Sequence, residues 1–268
     1  MITIAIDPGH GLKTPGKQTP NGIKEWALND AVADKIEAIL SDYECKIIRT
    51  DNDEGYTDET LADRLNRYLK AKVDSFVSIH HNAFTGNWNN ATGVEVYADR
   101  NATAKDKALA NAIYPKLVKY TGLKGRGVKY ENWWVINQNT IPAVLVEGGF
   151  MDSNIDYKVI TSEAGQTAYA KAVAEGLIEF HGLKKKTTAS NNSTVVSGGF
   201  KPYLVKVIAK ELNIRKTPNW SNSDIVGVIK DNGVYTITEE KMLGNTKFGR
   251  LKSKKGWISL GSSYVKKV

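Results

Sequence analysis

The chain has 268 residues, 41% apolar and 25% charged, with 7 prolines and 23 glycines. Those are ordinary globular proportions, and they exclude a collagen-like, coiled-coil or wholly disordered chain. The net charge is +8 and Cys45 is the single cysteine, so no internal disulfide can form and the fold needs no oxidising compartment.

Met1 leads into residues 2–6, Ile-Thr-Ile-Ala-Ile, a run suited to a buried strand. It is too short for a signal peptide and has no basic leader. No stretch reaches the roughly 18 apolar residues of a membrane helix. The expectation is a chain made in a cytoplasm, with no membrane partner.

Ala27, Leu28, Ala31, Val32, Ile36, Ile39 and Leu40 recur at close to helical spacing and predict a helix over 26–40. A strand at 45–48, a helix at 59–71 and a strand at 75–79 follow. Further on come a strand at 93–98, a helix at 102–120, a strand at 144–146 and a long helix at 163–180. Strands separated by helices predict an α/β fold, a mostly parallel sheet with helices on both faces.

Residues 184–199 break the pattern. They run from Lys184-Lys185-Lys186 through Thr, Ser and Asn to Ser197-Gly198-Gly199, too polar to offset the entropy of ordering, and predict a flexible linker. Beyond it, short β-branched segments at 203–208, 211–214, 224–229, 233–238, 247–251 and 256–260 predict a small all-β barrel. The expected division is therefore 1–183, a linker at 184–199, and 200–268.

Charge divides along the same line. Residues 1–183 hold 20 Lys and Arg against 24 Asp and Glu, net −4, and residues 184–268 hold 17 against 5, net +12. A tail that basic fits a polyanionic partner: nucleic acid, an anionic lipid surface or an anionic wall polymer. Against nucleic acid, the tail has no zinc-finger pattern, recognition helix or RNA-stacking motif.

Only four histidines limit any metal site. His10 follows the first strand in Asp7-Pro8-Gly9-His10-Gly11, where Pro and Gly enforce a tight turn at the carboxyl edge of the sheet. His80 and His81 end the strand at 75–79. Neighbouring strand residues face opposite ways, so at most one of the two joins His10. His181 closes the last helix and is poorly placed for that site. Glu25 opens the first long helix, and Glu147 ends an apolar strand before Gly148-Gly149. Burial at a strand end raises a carboxylate towards the range useful for a base. Two histidines and a carboxylate would leave an open position on a catalytic zinc, with a second glutamate free to take a proton.

Asp7-Pro8-Gly9-His10-Gly11, the Glu25 segment, Ser78-Ile79-His80-His81-Asn82-Ala83 and Val146-Glu147-Gly148-Gly149-Phe150 occur in the order seen in zinc-dependent N-acetylmuramoyl-L-alanine amidases of the third type. The resemblance covers roughly residues 1–181. It implies a six-stranded sheet with helices on both sides, one zinc ion held by His10, Glu25 and His80, and Glu147 as catalytic acid/base. Manganese or another divalent ion suits the same ligands. The family usually has a small or apolar residue where His81 stands. His81 reads first as a spare surface residue, and otherwise as a substrate contact or an alternative ligand. Asn82 either contacts substrate or caps the following turn. Trp133 and Trp134, read as strand neighbours, offer one core residue and one sugar-stacking residue, for which Trp134 is the candidate, while Trp88 falls in an exposed loop.

The tail resembles a bacterial Src-homology-3-type wall-binding domain through Glu211–Pro218, Val226–Ile229, Tyr235–Ile237 and Gly256–Leu260. Lys252, Lys254 and Lys255 are candidates for attraction to teichoic acids. Together these features predict a peptidoglycan hydrolase, a phage or prophage endolysin or a bacterial autolysin, acting on the wall after release. The rivals are a zinc peptidase of the stem peptide and a non-enzymatic wall or polyanion binder.

Overall fold

Five uncharged residues, 2–6, precede Asp7 in the seven-residue first strand, β1 (Ile2–Pro8). In this computed structural model, which describes residues 1–51, 59–137, 141–186, 200–220, 224–243 and 246–268, β1 lies inside a six-stranded sheet. The other strands are β2 (Cys45–Arg49), β3 (Ser75–Asn82), β4 (Val94–Asp99), β5 (Gly125–Glu131) and β6 (Ala143–Phe150), in the order β2-β1-β3-β6-β4-β5. β1 is parallel to β2 and β3, β3 to β6, and β4 to β5, while β4 runs antiparallel to β6. β5 is absent from the sequence reading because its Gly-Arg-Gly-Val-Lys-Tyr-Glu is half-buried and shows no apolar run.

The period of two sorts every inward strand residue to one side or the other. Ile4, Ile6, Val77, Ile79, Val94, Val96, Val144 and Val146 pack under three helices, α1 (Glu25–Leu40), α3 (Ala104–Thr121) and α5 (Glu163–His181), the last preceded by the single turn α4 (Tyr157–Ile160). Ala5, Phe76, Tyr97, Ala143 and Leu145 pack on the opposite face with Tyr68 of α2 (Leu61–Lys70) and with Ile136. Both faces are thus covered. Asp7, Ser78, His80, Glu95 and Glu147 share the parity of this second face, and that fixes the side on which the site forms.

Helix ends follow local chemistry. Thr103 and Asp106 form a capping box on α3, Thr60 and Ser162 cap α2 and α5, and Gly122 and Gly182 close α3 and α5 in the left-handed conformation. α1 has no side-chain cap at Lys24. Its first amide, Glu25 N, instead donates to Lys17 O at 3.0 Å, which ties the 11–18 loop to the helix start.

The chain divides into two compact units, residues 1–186 and 187–268. Lys184–Lys186, expected in the linker, pair with the turn after α1. Glu44 N donates to Lys184 O and Lys186 N to Asp42 O. Residues 187–199 lie outside the described residues. The second unit is an antiparallel seven-stranded sheet of β7 (Tyr203–Val207), β8 (Leu212–Arg215), β9 (Ile225–Ile229), β10 (Val234–Leu243), β11 (Thr246–Leu251), β12 (Trp257–Ser259) and β13 (Val265–Lys267). Val205, Val207, Ile214, Ile237, Leu251 and Ile258 form its core.

Candidate active site

A cleft of about 330 Å3 opens where the carboxyl ends of β1, β3 and β6 meet the start of α1. His10, Glu25, His80, Glu147, Asn82 and Lys17 are among its lining residues. His10 adopts φ 66°, the left-handed region that costs a non-glycine residue energy. Arg64 of α2 holds it there. Its Nη1 donates to Asp7 Oδ1 at 2.6 Å and Pro8 O at 2.8 Å, and its Nη2 donates to His10 O at 2.6 Å. Gly9 lets the turn pass over His80, because a Cβ there would meet the His80 ring at 2.0 Å.

Glu25 stands between two imidazoles. His10 Nε2 lies 3.3 Å from Oε2 and His80 Nδ1 lies 3.0 Å from Oε1, and His81 N donates to Oε1 at 3.2 Å. Burial alone would raise the Glu25 carboxyl, but the bonds from His10 and His80 outweigh it and hold the pKa well below the usual range. His80 shows the reciprocal effect: burial would lower it, and Glu25 raises it.

One donor atom each from His10, Glu25 and His80 falls within a 4.8 Å sphere of mutual distances. His10 and His80 approach different oxygens of the Glu25 carboxylate, and two imidazoles with one carboxylate, their donor atoms within 4.8 Å of one another, suit zinc with a position left open.

Glu147 lies within β6 directly opposite His80. A bulge at this point absorbs Gly148-Gly149, so that Phe150 next pairs with Asn82. The Glu147 side chain is 8% exposed, and its Oε2 is a buried oxygen with no hydrogen-bond partner among the described residues. Burial pushes its pKa up to about 8, opposed by His80 and reinforced by Glu25 and Glu95. A carboxyl in that state can exchange a proton with a bound reactant.

His81 corrects the sequence reading of a spare surface residue. It is 3% exposed and turned to the opposite face of β3, where its ring stacks edge-on against Tyr169. Its Nδ1 lies 2.8 Å from Asn29 Oδ1, and Asn29 Nδ2 donates to Gly9 O at 3.1 Å. The Asn29 oxygen must accept, so His81 carries its proton on Nδ1. Burial pushes its pKa down to about 4, which keeps the ring neutral. His81 thus braces the turn that carries His10 and stands outside the three-donor cluster.

Trp133 and Trp134 lie beyond β5 in a turn, not on a strand. Trp133 packs on Tyr97 at 4.2 Å between centroids, whereas Trp134 is 40% exposed and does not line the cleft. His181 bonds Ser75 at the far end of β3. Sequence reasoning missed Glu95 and Arg64. Glu95 carried a signal, a charge at an inward position of the apolar Val94–Ala98 run, while nothing in the amphipathic α2 pattern distinguishes Arg64.

The N-acetylmuramoyl-L-alanine amidase family model, Amidase_3, matches residues 4–179. The chain belongs to this family. It is 31% identical over 274 residues to an endolysin of Bacillus phage SPP1, a match covering 98% of this chain and 97% of that protein. A sporulation-specific N-acetylmuramoyl-L-alanine amidase of Bacillus subtilis is 32% identical over 203 residues, covering 75% and 76%. Among solved structures, the catalytic domain of CwlV, an N-acetylmuramoyl-L-alanine amidase from Bacillus (Paenibacillus) polymyxa var. colistinus, superposes with a TM-score of 0.63 at 31% identity. That match covers 69% of this chain and all of that domain. The chain is a peptidoglycan amidase, homologous to an endolysin along its full length.

Proposed function

We propose that the amidase works as a zinc enzyme in which His10, Glu25 and His80 hold the ion and Glu147 moves the proton, cleaving the amide between N-acetylmuramic acid and L-alanine. The observation that carries this is the three-donor cluster beside a buried carboxylate oxygen with no partner. When bound, zinc supplies Lewis acidity, polarising the scissile carbonyl and lowering the pKa of a water. Glu147 Oε2 takes the proton of the attacking water and then delivers it to the departing amine of L-alanine. Glu25 and the imidazoles are held by the sheet and α1, so little reorganisation accompanies the reaction. Asn82 lines the cleft as a substrate contact, and Trp134 offers an exposed ring for sugar stacking outside it.

The full-length similarity to the SPP1 endolysin supports a phage or prophage lytic enzyme acting on the wall. Residues 200–268 would then be a Src-homology-3-like barrel that binds wall, joined through a flexible linker that keeps the catalytic unit concentrated at its substrate. Lys252, Lys254 and Lys255 are exposed and suit attraction to anionic wall polymers such as teichoic acids. Nucleic acid and membrane are not proposed partners; among the described residues no helix is long and apolar enough to cross a membrane.

Digestion of purified Gram-positive walls tests the reading. The expected result is new N-terminal L-alanine with no new reducing ends, abolished by a chelator and restored by added zinc. New termini at other residues would make the protein a stem-peptide peptidase, and no release from any wall would make it a binder. The ligand cradle has its own test in Gly9→Ala. With the His80 ring displaced by the new Cβ, affinity for zinc is expected to fall at least about tenfold, as when a ligand loses its orientation, read by competition with a chromophoric chelator. Unchanged zinc affinity would remove His80 from the ligand set.

A further inference from the structure

Glu95, the second residue of β4, is an ionic side chain that is only 1% exposed. It sits opposite Glu147 in the antiparallel β4–β6 pair and on the same face. All of its acceptor capacity is spent on four neighbours. Oε1 accepts from Asn82 Nδ2 at 2.6 Å and Tyr97 OH at 2.8 Å, and Oε2 accepts from Arg126 Nε at 2.8 Å and from Lys129 Nζ. Of these partners only Asn82 also lines the cleft.

The Asn82 carboxamide is clamped at both ends. Its Nδ2 faces the Glu95 carboxylate, and its Oδ1 accepts from Ala83 N at 2.8 Å. Turned over, it would set oxygen against carboxylate and N–H against N–H, two mismatches at once. One N–H and one lone pair of the fixed amide remain for a ligand of the cleft.

We propose that Glu95 is a positioning residue of the amidase site, holding Asn82 in the orientation that presents an N–H donor to the muramoyl-peptide substrate. Arg126 and Lys129 sharpen the requirement. Both are donors, so any side chain at 95 must offer them an acceptor. An isosteric glutamine would give its oxygen to those cations and turn its NH2 towards Asn82, reversing the polarity that Asn82 meets. This inference rests on the cleft being the amidase site.

A double-mutant cycle on the full-length zinc-loaded chain tests it, read as kcat/KM on a soluble muropeptide and as its Kd by calorimetry. Asn82→Ala is expected to weaken both about tenfold, the worth of one substrate hydrogen bond. Glu95→Gln should cost a similar factor alone but less than about twofold in the Asn82→Ala background, with zinc stoichiometry kept. Should Glu95→Gln not accumulate, Glu95→Asp enters the same cycle, because the shortened carboxylate keeps the cations and falls short of Asn82. Equal losses from the Glu95 substitution in both backgrounds would overturn the proposal, as would an unaffected Glu95→Gln or a fully active Asn82→Ala. A wild type that binds the muropeptide without cleaving it would count against the amidase reading alone, since the cycle is still read on Kd. One that neither binds nor cleaves would overturn both.

Discussion

Glu147→Gln is expected to lower muropeptide turnover by about 10³-fold while zinc content and wall binding stay at wild-type values. Glutamine has the same shape and can still accept a hydrogen bond, but it cannot carry a proton from water to the leaving amine. Glu147 is not among the three clustered donors, so the ion loses no ligand. The fold should not suffer either. The carboxyl lies among Glu25 and Glu95, and burial already favours its neutral form, so an uncharged amide relieves repulsion. The decisive measurement is single-turnover release of N-terminal L-alanine beside zinc analysis of the same preparation. Wild-type turnover in Glu147→Gln would remove Glu147 as the proton carrier. Lost zinc with lost turnover would make it a ligand.

The period of two was the strongest guide in the sequence. It separated His80 from His81, and the structure turns them to opposite faces, with His80 beside Glu147 and His81 against Tyr169. Short apolar runs, rather than alternation, marked 2–6, 75–79 and 144–146 as strands. Periodicity had less purchase on β5, an edge strand with two glycines and a mostly half-buried run that does not alternate, and on β13, only three residues long. The paired tryptophans misled for a related reason. Aromatic, β-branched composition reads as strand, but a turn after β5 sends Trp133 onto Tyr97 and leaves Trp134 outward.

The groups that face one another across the cleft announce themselves by residue type and by their place at strand ends. The groups that hold them do not. Asn29 and His81 brace Gly9 from a helix and a strand 20 or more residues away from it in sequence, and Glu95 reaches Asn82 across β6. Such couplings depend on which strands become neighbours. The crossover that seats β6 between β3 and β4 is not written in any local pattern. His81 shows the cost of judging a residue by polarity alone, since a histidine after a buried strand is as well suited to a satisfied interior bond as to solvent.

Arg64→Met should be the most damaging change among the groups behind the cleft. Arg64 and Asp7 are both buried, and the guanidinium also bonds the carbonyls of Pro8, His10 and Glu59. Burial alone would raise the Asp7 carboxyl, but Arg64, with bonds from Ser78 and Thr50, outweighs it and holds the pKa below its ordinary 3.8. Removing one partner of such a pair costs about 3–5 kcal/mol, because the other charge is left buried. The pH dependence identifies the cause. In the wild type the folded pKa is depressed, so the Asp7 contribution is present above 3.8 and lost as pH falls through the lower folded value. In the variant burial acts unopposed by Arg64, so the folded pKa rises, and protonation relieves the unpaired charge as pH falls. The stability gap between the two proteins should therefore narrow on acidification. Urea denaturation of the chelated proteins across pH 4–8 measures this without interference from metal binding. A gap of the same size at every pH would mean that Arg64 acts through packing alone. The variant should also bind zinc at least about tenfold more weakly, since the bond from Arg64 to His10 O is what keeps that histidine at its positive φ.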